Sequence, residues 1–229
     1  MEKFLKTLKS FKNVRLLYPA SGKHDCKIFV NDLFRYVDEF IFCDLTYTYN
    51  SDSSPIIKNS IFNLIDHKII GNPTETILKK ISEFGEYRDV NPAYIIERYE
   101  HVYSKKNFIV TWRRGFGQFS VIELEDNSLD IFVHRGDSPG EGGSNIYFLG
   151  NKEKYYKPIS NLFNQLKNKL KDESFIITDG FLTTFKFLKN NETKIGDRFE
   201  KEGMVWECFD KYTDKKIRPT YIWKVSKIN

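Results

Sequence analysis

Hydrophobic positions change their period several times along this chain. Phe4, Leu5, Leu8 and Phe11 share one helical face with lysines opposite, which predicts an amphipathic first helix packed on a core. Val14 to Tyr18 is a short apolar run closed by Pro19-Ala20-Ser21-Gly22, the pattern of a strand entering a tight loop. From His24 to Val37, residues Ile28, Phe29, Leu33, Phe34 and Val37 fall at helical spacing. Phe40-Ile41-Phe42-Cys43 is a second apolar strand, closed by Asp44. Strand, glycine turn, helix and strand form the first half of a βαβ unit. The right-handed crossover rule makes its two strands parallel neighbours.

A helix is predicted over Ile56 to Ile65 and a short third strand at Lys68-Ile69-Ile70. Asn72-Pro73-Thr74-Glu75 has the features of a helix start. Ile77, Leu78, Ile81 and Phe84 give that helix a buried face, and Gly85 ends it. Between residues 94 and 124 the period becomes β-like, in Tyr94-Ile95-Ile96, Phe108 to Trp112 and Phe119 to Ile122. This stretch reads as an inserted antiparallel meander. A strand at Leu129 to Val133, a loop from His134 to Asn145, a helix over Ile159 to Leu170 and a strand at Phe175 to Asp179 resume the α/β rhythm. Met204 to Phe209 and Thr220 to Val225 predict an antiparallel hairpin at the sheet edge. The expectation is an α/β, Rossmann-like three-layer sandwich in one domain over residues 1–229. Its sheet is mostly parallel, with a C-terminal antiparallel hairpin and the β-rich insertion at 94–124.

Composition narrows the class. Among 229 residues, 40% are hydrophobic and 16% aromatic, too many for a disordered chain. The apolar runs fall far short of the roughly 20 residues of a membrane span. The N-terminus lacks a continuous apolar stretch and a small-residue cleavage site, so a cytoplasmic location is expected. Lys plus Arg is 36 and Asp plus Glu is 31, a net charge of +5. This falls short of the dense basic stripe of a dedicated nucleic-acid binder, but leaves nucleic acid or an anionic ligand open. The three cysteines form no CxxC pair, and Cys43 reads as a small buried hydrophobe. The four histidines lack zinc-ligand spacing.

In an open α/β sheet, ligands sit outside the carboxyl ends of the strands. Three loops are expected to meet there. In the first, Gly22 feeds a helix N-terminus whose free N–H groups suit an anion, with Ser21, Lys23 and His24 as added donors. The alternative is a turn capped by Ser21 or Asp25. The second feature is Asp44, 22 positions beyond Gly22, the distance at which dinucleotide folds place an acid on ribose hydroxyls. The third is the His134–Asn145 loop, with glycines at 136, 140, 142 and 143 that permit close approach of backbone to ligand. His134, Asp137 and Glu141 are its candidate acid–base groups, and Arg135, Ser144 and Asn145 its candidate substrate contacts. Asp137 and Glu141 also admit a metal-assisted hydrolase or transferase. Ser138 lacks the G-x-S-x-G surroundings of a nucleophile. Trp112 and Trp206 read as core or sheet-face residues. Arg113-Arg114 reads as a solvated hairpin tip within reach of a phosphate.

This order of elements resembles the class I S-adenosylmethionine-dependent methyltransferases from Val14 onward. Gly22, Asp44, the loop at 134–145 and the C-terminal hairpin carry the resemblance. It implies S-adenosylmethionine as cofactor, contacts from Ser21 and Gly22 to its methionine part, Asp44 on the ribose, and methyl transfer beside His134 to Asn145. The first loop has one glycine and no acid, where that family has two or three glycines and an acid. A non-catalytic binding protein on the same scaffold is therefore the alternative, with a protein partner meeting aromatic residues of the 94–124 segment.

Overall fold

The apolar run Arg15–Pro19 (β1) is buried from Leu16 onward, and Glu39–Asp44 (β2) is buried from Phe40 to Cys43. Continuous burial is the mark of strands covered on both faces. Between them Lys23–Leu33 (α2) buries Cys26, Phe29, Val30 and Leu33, the spacing of one helical face. The two strands pair in parallel, Arg15 opposite Glu39 and Pro19 opposite Cys43, as the crossover rule required. Asp38 ties their entry together. Its carboxylate accepts from the Val14 N–H at 2.8 Å, and its own N–H donates to the Val14 carbonyl at 2.8 Å.

This computed structural model describes residues 1–19, 21, 23–44, 57, 59–71, 78–80, 87–89, 93–115, 117–134, 162–179, 193–201, 203–212 and 220–228. Its first helix is Glu2–Leu8 (α1). After β2 come Phe62–Ile70 (β3), Leu78–Lys80 (β4), Tyr87–Asp89 (β5), Ala93–His101 (β6), Asn107–Arg114 (β7) and Gly117–Ile122 (α3). The chain continues through Leu129–His134 (β8), Leu162–Lys169 (α4), Leu170–Asp179 (β9), Arg198–Lys201 (β10), Met204–Tyr212 (β11) and Thr220–Lys227 (β12). Two compact units form, one of residues Asn13–Ser120 and one of Met1–Lys12 with Val121–Asn229.

In the first unit the strand order is β1-β2-β7-β6-β3. β7 lies parallel to β2, whereas β6 runs antiparallel to both β7 and β3. The connection from β6 to β7 is a short turn in which the His101 N–H donates to the Lys106 carbonyl at 2.9 Å. A link that short can join only antiparallel neighbours. Burial alternates along β6, with Ala93, Ile95, Glu97, Tyr99 and His101 inward. β4 and β5 pair with each other as a two-stranded ribbon.

The second unit has the order β10-β11-β12-β9-β8. Only β8–β9 is parallel among its described pairs. Trp206 and Trp223 are buried beside Phe199, with Trp223 donating to Thr178 Oγ1 at 3.0 Å. Phe4 and Leu8 of α1 are buried, and Phe4 meets Phe175 edge-on at 4.9 Å.

The mostly parallel, Rossmann-like sandwich expected from the sequence is not what forms. Strands take 54% of the described residues, and six of the nine described strand pairs are antiparallel. The helix predicted over Ile56 to Ile65 is replaced by a turn and the start of β3. Asn59 stops it: its side chain accepts from the Ile61 N–H at 3.2 Å and its carbonyl from the Phe62 N–H at 3.1 Å, a local alternative to helical bonding. Leu78–Lys80 is strand rather than helix. β7 belongs to the parallel core of its unit rather than to an insertion. Phe119 to Ile122 falls in α3 instead of a third meander strand, since four residues of alternating character do not separate helix from strand. The C-terminal hairpin β11–β12 is flanked on both sides, with β10 outside it.

Candidate ligand site at the carboxyl ends of the parallel strands

Parallel pairing aligns the carboxyl ends of β1, β2 and β7. Pro19 lies opposite Cys43, Cys43 opposite Arg113, and Asp44 opposite Arg114. Just beyond β1, Ser21 is fully buried. Its N–H donates to the Cys43 carbonyl at 2.9 Å, and its hydroxyl reaches the same oxygen at 3.4 Å. α2 begins two residues later at Lys23.

Two more bonds knit β2 to the turn after β7. The Gly115 N–H donates to the Asp44 carbonyl at 3.2 Å, and the Cys43 thiol approaches the Gly115 carbonyl at 3.2 Å. Gly115 has φ of +155°, so the chain leaves β7 in a conformation suited to glycine. Asp44 itself is half-buried, which leaves a carboxylate at the strand end within reach of solvent.

Arg113 is the residue that sequence reasoning placed wrongly. It sits in β7 with 1% of its surface exposed, its guanidinium 3.7 Å from Cys43 Sγ and 5.8 Å from the Tyr94 ring centre. It is no solvated tip. The signal was present: Ile109-Val110-Thr111-Trp112 is a strand run with no turn residue before Gly115, so both arginines had to extend it.

One strand away, a carboxylate lies in the core. Glu97, 3% exposed, accepts from Trp112 Nε1 at 2.7 Å and from the Tyr99 hydroxyl at 2.8 Å on the same oxygen. Burial, then the Glu97 charge and its hydrogen bond, push the Tyr99 phenol far above its ordinary value. Trp112 is fully buried, so it braces this carboxylate from within.

The remaining expected site residues are not brought together by described geometry. His134 is the last residue of β8, described through its backbone. Gly22, Arg135, Asp137, Glu141, Ser144 and Asn145 lie outside the described residues. Among the described residues, no three His, Cys, Asp or Glu side chains are grouped to hold a metal ion, and no helix is long and apolar enough to cross a membrane. No protein-family model matches the chain, and no curated protein matches it either.

Proposed function

We propose that this protein binds a nucleoside-containing ligand at the carboxyl ends of β1, β2 and β7, with S-adenosylmethionine as the leading ligand and a cytoplasmic setting. The observation that carries the proposal is the β1–α2–β2 unit closed by Asp44, with Arg114 opposite it in register. A half-buried carboxylate suits the two hydroxyls of a ribose, and a guanidinium suits a carboxylate or phosphate. An acceptor and a donor side by side at the strand ends suit the polar groups of an aminoacyl nucleoside. S-adenosylmethionine, when bound, supplies an activated methyl group. The role of Asp44 and Arg114 is to hold and orient it.

Ser21 favours a second reading, a binding protein without catalysis. Its N–H and hydroxyl both meet the Cys43 carbonyl, a structural role where the cofactor reading asks Ser21 for a contact to the ligand.

Mass spectrometry of the freshly purified, denatured protein separates these readings. A co-purified adenosine-containing sulfonium or its demethylated thioether supports the methyl-transfer reading. A different nucleoside supports binding alone, and no nucleoside at any stoichiometry counts against both.

A further inference from the structure

β3 offers an unusual edge. It ends the strand order of its unit, pairs only with β6 among the described strands, and is nine residues long. From Ile65 to Gly71 every residue is exposed, with Ile65 at 53%, Ile69 at 49% and Ile70 at 41%. A long edge strand that exposes three isoleucines is a template for another strand. The contrast is β10, which ends the order in the other unit with four residues, Arg-Phe-Glu-Lys. Short and charged, it is protected.

The sequence of β3 also says which strand fits. If two copies pair antiparallel about a two-fold axis through His67, Asp66 of each falls opposite Lys68 of the other. Opposite charges are thus matched on both sides of the axis, as cross-strand pairing favours. A shift of the axis to Asp66 would set like carboxylates against each other, so charge selects the register. The bulge between Leu64 and Asp66 leaves Ile65 without a register partner on β6. We propose that β3 is a homodimerisation edge, joining two copies of this chain antiparallel about His67. This stands independently of the ligand proposal.

Sedimentation equilibrium of the full chain tests it, with a concentration-dependent monomer–dimer equilibrium expected. Lys68→Asp, which faces Ile96 within its own chain, sets carboxylate against carboxylate across the axis. It is expected to weaken the dimer at least about tenfold. Asp66→Lys does the same with ammonium groups, and an equimolar mixture of the two variants restores dimers. As a second readout, His67→Cys is expected to form an intermolecular disulfide on mild oxidation, because antiparallel partners lie about 4.5–5.5 Å apart at Cα. Lys68→Cys is not. A chain that stays monomeric up to about 1 mM, a dimer indifferent to Lys68→Asp, or equal crosslinking at positions 67 and 68 overturns the proposal.

Discussion

At the scale of single residues, two buried carboxylates do different work. Glu97 holds two ring donors on one oxygen. Glu97→Ala removes the buried acceptor shared by both, at an expected cost of about 3 kcal/mol. Glu97→Gln keeps an acceptor and is expected to recover part of that loss, read by urea denaturation followed through tryptophan fluorescence. Asp210 acts at the start of α1, where Met1 provides no side-chain cap. Its carboxylate accepts from the Phe4 N–H at 2.9 Å and from the terminal ammonium at 2.7 Å, supplying a cap from a distant strand. Burial alone raises its pKa. Hydrogen bonds from the ammonium, Phe4 and Lys211 outweigh burial and bring the value below 3.8. A carboxylate held low contributes stability that is complete above its unfolded value and lost as pH falls through the native one. Asp210→Asn is therefore expected to be less stable than the native chain at pH 7. The gap should narrow as pH drops below 3.8, as measured by denaturation at several pH values.

At the scale of elements, tight turns decide strand direction. β10 and β11 are joined through Gly203, which has φ of +67°. A Cβ there would also lie 2.6 Å from Lys167 Nζ, but the end of a lysine can swing aside. Backbone strain outweighs that displacement, so Gly203→Ala is expected to cost about 1 kcal/mol. Lys167→Ala should not rescue it, and thermal denaturation of the single and double variants reads the difference. The elements most legible in the sequence were those with unbroken periodicity. β1, α2, β2, β8 and α1 follow from continuous apolar runs or helical spacing, and the parallel β1–β2 pairing follows from the crossover between them. β3 was misread because Ile61, Leu64 and Ile65 also fit a helix. Deciding against one required the Asn59 turn, and a side chain bonding its own backbone leaves little trace in periodicity.

At the scale of the whole molecule, sheet topology was the part hardest to read. Nothing in the spacing of apolar residues shows that β7 pairs with β2, with β3 to β6 between them in the chain, because that neighbour is chosen by long-range packing. Much of the aromatic excess is explained by this arrangement. Phe40, Phe42, Phe108 and Trp112 pack together in one unit, and Phe199, Trp206 and Trp223 in the other. The positions of Ser21 just beyond β1 and of Asp44 at the end of β2 were legible, because they depend on local order. It was not legible where topology brings Arg113 beside Cys43. The most direct test of the central claim is isothermal titration of the purified chain with S-adenosylmethionine and S-adenosylhomocysteine, repeated on Asp44→Ala. Saturable heat with at least one ligand is expected, with Kd raised tenfold or more (about 1.4 kcal/mol) by the substitution. No heat at concentrations that detect micromolar binding, or equal affinity in the Asp44→Ala variant, would contradict it.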